Sequence, residues 1–69
     1  MEQFDLAGQE YIELDNLLKS MGLIDSGGMA KIVIAEGRVK VDGAVELRRR
    51  CKIRTGQKVE FEGRIIVVL

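Results

Sequence analysis

The stretch Arg38-Val39-Lys40-Val41-Asp42-Gly43-Ala44-Val45 constrains the fold more than any other part of the chain. An Asp-Gly pair between alternating apolar residues specifies a two-residue hairpin. Both central residues of that turn take positive φ, which glycine and aspartate tolerate. The alternation puts Val39 and Val41 on one face of the ribbon and Arg38 and Lys40 on the other. A ribbon with one apolar face must have that face covered, so the rest of the chain has to supply a lid and further strands.

The lid reads as two short helices. Leu14, Leu17, Leu18 and Met21 recur at i, i+3, i+4 and i+7, which predicts a first helix over Asp15–Met21. Asp15 or Asn16 is suited to accept its free amides, and Gly22 to end it in the left-handed cap conformation. Asp25-Ser26 opens a second helix with Ala30, Val33, Ile34 and Gly37 on its stripe and Gly37 as its stop. Gly27 and Gly28 fall in its first turn and cost about 1 kcal/mol each against alanine. They serve either to ease the approach of the helices or to leave bare N–H groups open to a phosphate. After the hairpin, Ala44–Leu47 returns and Thr55-Gly56-Gln57 turns. Lys58–Glu62 then alternates with Val59 and Phe61 inward, Glu62-Gly63-Arg64 turns again, and Ile65–Leu69 closes as a buried strand. Residues 1–9 show no period and read as a loose lead-in, with Phe4 and Leu6 docking on the core. Glu10–Glu13 reads as a short edge strand. The expected class is α+β, with one domain over residues 10–69.

A chain of 69 residues buries only about 60% of the surface its unfolded form exposes, so a single layer of helices on one sheet is the expected body. Such a body leaves little room for an enclosed substrate pocket, and function is expected on an outer face. Apolar residues at 46% and charged residues at 32% exclude a disordered chain. Net charge is zero, but it is polarised. Residues 1–36 hold seven acids against two bases, a net of −5, and residues 37–69 hold nine bases against four acids, a net of +5. A phosphate responds to a local patch and not to the sum. Cys51 is the only cysteine, which excludes an intrachain disulfide and makes a reducing compartment the expectation. With no signal-peptide pattern and no apolar run long enough to span a bilayer, the expected location is the cytoplasm and no membrane partner is expected.

In their order and spacing these motifs resemble a known family, the RNA-binding domain named after the small-subunit ribosomal protein S-four, or alpha-L motif. That family opens its first helix with R-L-D-x-x-L and its second with S-R-x-x-A-x-x-x-I, followed by G-x-V-x-V-N-G and a later basic strand. Leu14-Asp15 with Leu18 matches the first, Ser26, Ala30 and Ile34 match the second, and Gly37 to Gly43 matches the third, with Asp42 for the usual asparagine. The likeness covers about two thirds of the chain. Glu13 and Gly27 stand where the family usually carries arginines, and both departures remove a cation. The resemblance implies two antiparallel helices packed on a small, curved, mainly antiparallel sheet. It also implies structured RNA as the partner, ribosomal or transfer RNA foremost, and it is to the small stand-alone bacterial members, in which the domain is the whole protein. A monomer with no cofactor and no metal is expected.

The residues expected to carry the contact are Arg48, Arg49, Arg50, Lys52 and Arg54, joined by Lys31 on the second helix and Arg38 and Lys40 on the hairpin. Guanidinium groups are planar multidentate donors whose weak hydration suits phosphate. Ser26, Gly27 and Gly28 are expected to offer a helix N-terminus to phosphate. In an extended segment Arg48, Arg50 and Lys52 share a side and Arg49 opposes them. Phe4, Tyr11 and Phe61 are the only aromatics, and none falls in the basic segment, so recognition is expected to rest on backbone and shape and not on stacked bases. Cys51 reads as a small residue alternating inward; between Arg50 and Lys52 it has the alternative reading of an activated thiol. An enzyme is disfavoured by the lack of histidine, of a metal-binding cysteine set and of a phosphate-loop motif, leaving only the acid pairs Glu60/Glu62 and Glu13/Asp15. The other class of function is a protein-interaction module whose basic face docks an acidic partner protein.

Overall fold

The computed structural model describes residues 1–69. In chain order the elements are β1 (Glu2–Phe4), β2 (Ile12–Glu13), α1 (Leu14–Ser20), α2 (Gly27–Ala35), β3 (Val39–Val41), β4 (Ala44–Val45), β5 (Lys52–Ile53), β6 (Lys58–Phe61) and β7 (Arg64–Val68). Five strands form one sheet in the order β1-β7-β6-β3-β4, and β2 pairs with β5 in a separate two-stranded ladder. Every pairing is antiparallel except β1 with β7. The class is therefore α+β, with two helices on a mostly antiparallel sheet.

The stripes read from the sequence form the core. Leu14, Leu17 and Leu18 of α1 and Ala30, Val33 and Ile34 of α2 are buried against Val39, Val59, Phe61, Ile66 and Val68 of the sheet. Both helices end as their glycines dictate. Gly22 at φ 70° donates to the Lys19 carbonyl while Leu23 N–H donates to Leu18, and Gly37 at φ 75° repeats the pattern with Ile34 and Arg38 with Val33. Asp42 and Gly43 sit at φ 51° and 84°, as the two-residue hairpin requires. The Asp42 carboxylate also accepts the Lys58 N–H at 2.9 Å, which ties the turn to the start of β6.

Several local expectations need correction. Residues 1–9 are not a loose lead-in throughout, because Glu2–Phe4 forms an edge strand parallel to β7 and Leu69 N–H donates to Phe4 at 2.8 Å. Leu6 is buried and Phe4 half-buried, as expected of docking residues. The return strand after the hairpin is only Ala44–Val45. The last strand is not buried throughout, since a sheet covered on one face buries alternate residues: Ile66 and Val68 are covered and Ile65 is exposed. Helix α1 starts at Leu14, one residue earlier than expected, with Glu13 as N-cap, while Asp15 accepts a first-turn amide as expected, from Asn16 N–H at 2.8 Å. No helix is long and apolar enough to cross a membrane.

Ser26 caps α2 by accepting the Met29 N–H at 3.3 Å. A methyl group placed on Gly27 would meet nothing within 4 Å, and one on Gly28 only the Ser26 hydroxyl at 3.8 Å, so close helix approach does not explain these glycines. Neither has a positive φ. Gly28→Ala is therefore expected to raise stability by about 0.5 kcal/mol, chiefly by restricting the unfolded chain, as measured by urea denaturation.

Candidate nucleic-acid interface

Between β4 and β5 the chain leaves the sheet and turns, with Cys51 N–H donating to the Arg48 carbonyl at 3.2 Å. Two further carbonyls of this turn face the start of α1: Leu14 N–H donates to Cys51 at 2.9 Å and Asp15 N–H to Arg49 at 3.0 Å. A helix start leaves its first amides without intrahelical partners, and Glu13 supplies no side-chain bond here. The loop carbonyls take the place of a cap. The β2–β5 ladder extends the same junction, with Ile12 opposite Ile53 and Glu13 opposite Lys52, and Ile53 is fully buried. The basic segment is thereby fixed to the helical layer at both backbone and core.

The docking sorts the cations. Arg48, Arg50 and Lys52, with Cys51, line an open depression of about 440 Å³. Arg49 is turned to Asp15, its Nε 3.8 Å from Oδ2. The segment is a turn and not an extended strand, yet it presents the alternation expected of one. Glu46 accepts from the Arg48 backbone N–H at 2.9 Å, from Nε at 3.0 Å and from Nη2 at 3.2 Å. Those side-chain and backbone bonds hold the Glu46 carboxyl down from the usual 4.5 to about 2. The Arg48 side chain remains 77% exposed despite the pairing; Nη2 also donates to Cys51 Sγ at 3.7 Å, and the Nη1 donors stay open. Arg50 and Lys52 have no ion-pair partner.

The remaining candidates are dispersed. Arg54 pairs with Glu10 at 3.0 Å. Arg38 is held by Glu62 and by Glu36 at 3.5 Å, and lies 5.5 Å from the Phe61 ring centre. Lys40 is exposed on β3 between Val45 and Glu60 of the flanking strands, with no ion pair. Lys31 is exposed and unpaired on α2, the helix whose first turn holds Ser26, Gly27 and Gly28. Of the acid pairs, Asp15 and Glu62 are engaged by arginines.

One reading changes. Tyr11 does lie in the basic region: Lys52 Nζ is 5.0 Å and Arg54 Cζ 5.5 Å from its ring centre. The contact depends on the β2–β5 register, which joins residues some forty positions apart and has no local signal. Cys51 keeps its reading as a small residue turned inward: it is half-buried against the core, and partial burial followed by the Glu46 carboxylate pushes its thiol up, against the alternative of an activated thiolate. Sequence reasoning also missed Glu46 and Asp15 as the groups that orient the arginines.

The S4 domain model matches residues 4–69. YbcJ of Escherichia coli (strain K12) is 54% identical over 69 residues, 100% of this chain and 99% of YbcJ. The solution structure of YbcJ, described as revealing an alfaL motif involved in RNA-binding, matches with a TM-score of 0.76 over 100% of this chain and 87% of that one. The Bacillus subtilis (strain 168) protein named "Probable ribosome maturation protein RlbA" is 43% identical over 54 residues, 78% of this chain and 76% of its own length.

The Glu46 clamp has a pH signature. Its folded pKa lies below the ordinary value, so its stabilising effect is complete above about pH 4.5 and declines as pH falls toward about 2. Glu46→Gln is expected to melt below the parent at neutral pH, with the gap in thermal midpoint narrowing through that window. A gap that stays constant from pH 6 to pH 2 would contradict the clamp.

Proposed function

The chain belongs to the S4 domain family, and from that premise we propose that it is a non-catalytic binder of structured RNA, ribosomal or transfer RNA, contacting the phosphate backbone through its basic surface. The observation that carries this reading is the depression lined by Arg48, Arg50 and Lys52 on a loop docked to α1. A docked loop loses little further conformational freedom on binding, which is where much affinity is otherwise spent. Arg50 and Lys52 need break no internal ion pair to meet a phosphate, and Arg48 is already oriented by Glu46.

Lys31, with the open first turn of α2 at Ser26, Gly27 and Gly28, provides a lesser phosphate contact, and Lys40 a further one on the hairpin. Arg38, Arg49 and Arg54 contribute less, because an incoming phosphate competes with Glu62, Asp15 and Glu10. The name of the Bacillus relative supports ribosomal RNA as the first target to try. The same basic face docking an acidic protein is the alternative reading, and competition by an acidic peptide that displaces RNA poorly would disfavour it.

If ~4 phosphates are neutralised, log affinity for duplex RNA falls with log salt at a slope of about −3. Arg50→Ala and Lys52→Ala are each expected to flatten that slope by about 1, with Arg38→Ala nearly silent. Fluorescence anisotropy over a salt series reads all three. A parent slope near zero would refute the electrostatic account.

A further inference from the structure

A second depression, of about 460 Å³, adjoins the basic one and has the opposite chemistry. It is lined by Gln9, Glu10, Tyr11, Ile12, Glu13 and Asn16. Glu13 lines this depression and Lys52 the basic one, and the two residues are direct partners across the β2–β5 ladder. Cross-strand partners stand about 5 Å apart at Cβ, so a residue lining one depression directly neighbours a residue lining the other. Tyr11 belongs to the second depression although Lys52 and Arg54, the cations that hold its ring, do not line it.

We propose that this depression is a subsite for one unpaired RNA base bearing an exocyclic amine, packed against Tyr11 while its neighbouring phosphates lie over Arg48, Arg50 and Lys52. The proposal rests on the RNA-binding reading and sharpens it, since the site would read base identity beside a surface that reads only phosphate. The volume is within the range of about 300–1,000 Å³ typical of small-ligand sites. Carboxylates accept and do not donate, so Glu13, which has no ion-pair partner, favours the amino groups of adenine, cytosine or guanine, and Glu10 adds only the acceptor capacity left by Arg54, which holds its Oε1 at 3.0 Å. Uracil has two carbonyl oxygens and a single N–H on its pairing edge, and is the base this lining disfavours. The Gln9 and Asn16 amides add donors and acceptors, and the aromatic face supplies stacking that any base can use. Lys52 and Arg54 over the ring hold it in place before the ligand arrives, and the base packs on the part of the ring that lines the depression, where neither cation stands.

Tyr11 is the only tyrosine, so its ring protons give one unambiguous NMR reporter. The full chain is titrated with single-stranded tetranucleotides of equal phosphate count: adenosine, cytidine, uridine and abasic. The expected result is displaced Tyr11 ring resonances with the adenosine and cytidine tetramers and none with the abasic one. Affinity for the uridine tetramer should be about tenfold weaker than for the cytidine tetramer. Tyr11→Leu should abolish the advantage of base-bearing over abasic strands, while Tyr11→Phe keeps it. Equal affinity for all four tetramers with an unmoved ring overturns the subsite. In that case duplex RNA binding that still depends on Arg50 and Lys52 leaves the RNA-binding reading standing, whereas the loss of all RNA binding removes both.

Discussion

Everything that distinguishes this surface depends on two backbone hydrogen bonds, from Leu14 N–H to the Cys51 carbonyl and from Asp15 N–H to the Arg49 carbonyl. They satisfy a helix start that has no side-chain cap, and they also fix the loop that carries the basic residues. One junction thus completes the helix start and holds the loop proposed to meet RNA. The short β2–β5 ladder and the buried Ile53 reinforce it, so the loop is attached to the helical layer and not only to the sheet that precedes and follows it.

Charge follows from that geometry. A protein of zero net charge can present a cationic site only if its acids are held elsewhere or are set to work on its arginines. Asp15 holds Arg49 away from the depression, and Glu46 orients Arg48 at its rim. Glu10, Glu62 and Glu2 neutralise Arg54, Arg38 and Arg64 at other points of the surface. Exposed pairs of this kind add little to stability, but they decide which cations remain free for a ligand. The cations left without an ion pair here are Arg50 in the loop and Lys52 at the start of β5, which concentrates the positive potential at one end of the stretch running from Ser26 to Arg54.

What was legible in the sequence is what is local. The Asp42-Gly43 turn, the stripes of Leu14, Leu17, Leu18 and of Ala30, Val33, Ile34, and the stops at Gly22 and Gly37 each follow from residues a few positions apart. Together with the ordered family motifs they gave the α+β class and the alpha-L resemblance. The parallel pairing of β1 with β7 was not legible, because three residues without a period acquire strand character only from a partner at the far end of the chain. The basic run was visible as composition. Its division into paired and free cations was not, since it depends on acids brought in from Asp15, Glu46 and Glu10 by the folded backbone. Tyr11 escaped for the same reason.

The central claim is that the loop docked on α1 is where RNA is met. The most direct measurement is an amide NMR titration of the intact chain with ribosomal and transfer RNA fragments. The account predicts shifts centred on residues 48–52, reaching Leu14 and Asp15 through their bonds to the loop, with weaker changes near Lys31 and Lys40. Unmoved resonances across residues 48–52 alongside strong shifts elsewhere would contradict it.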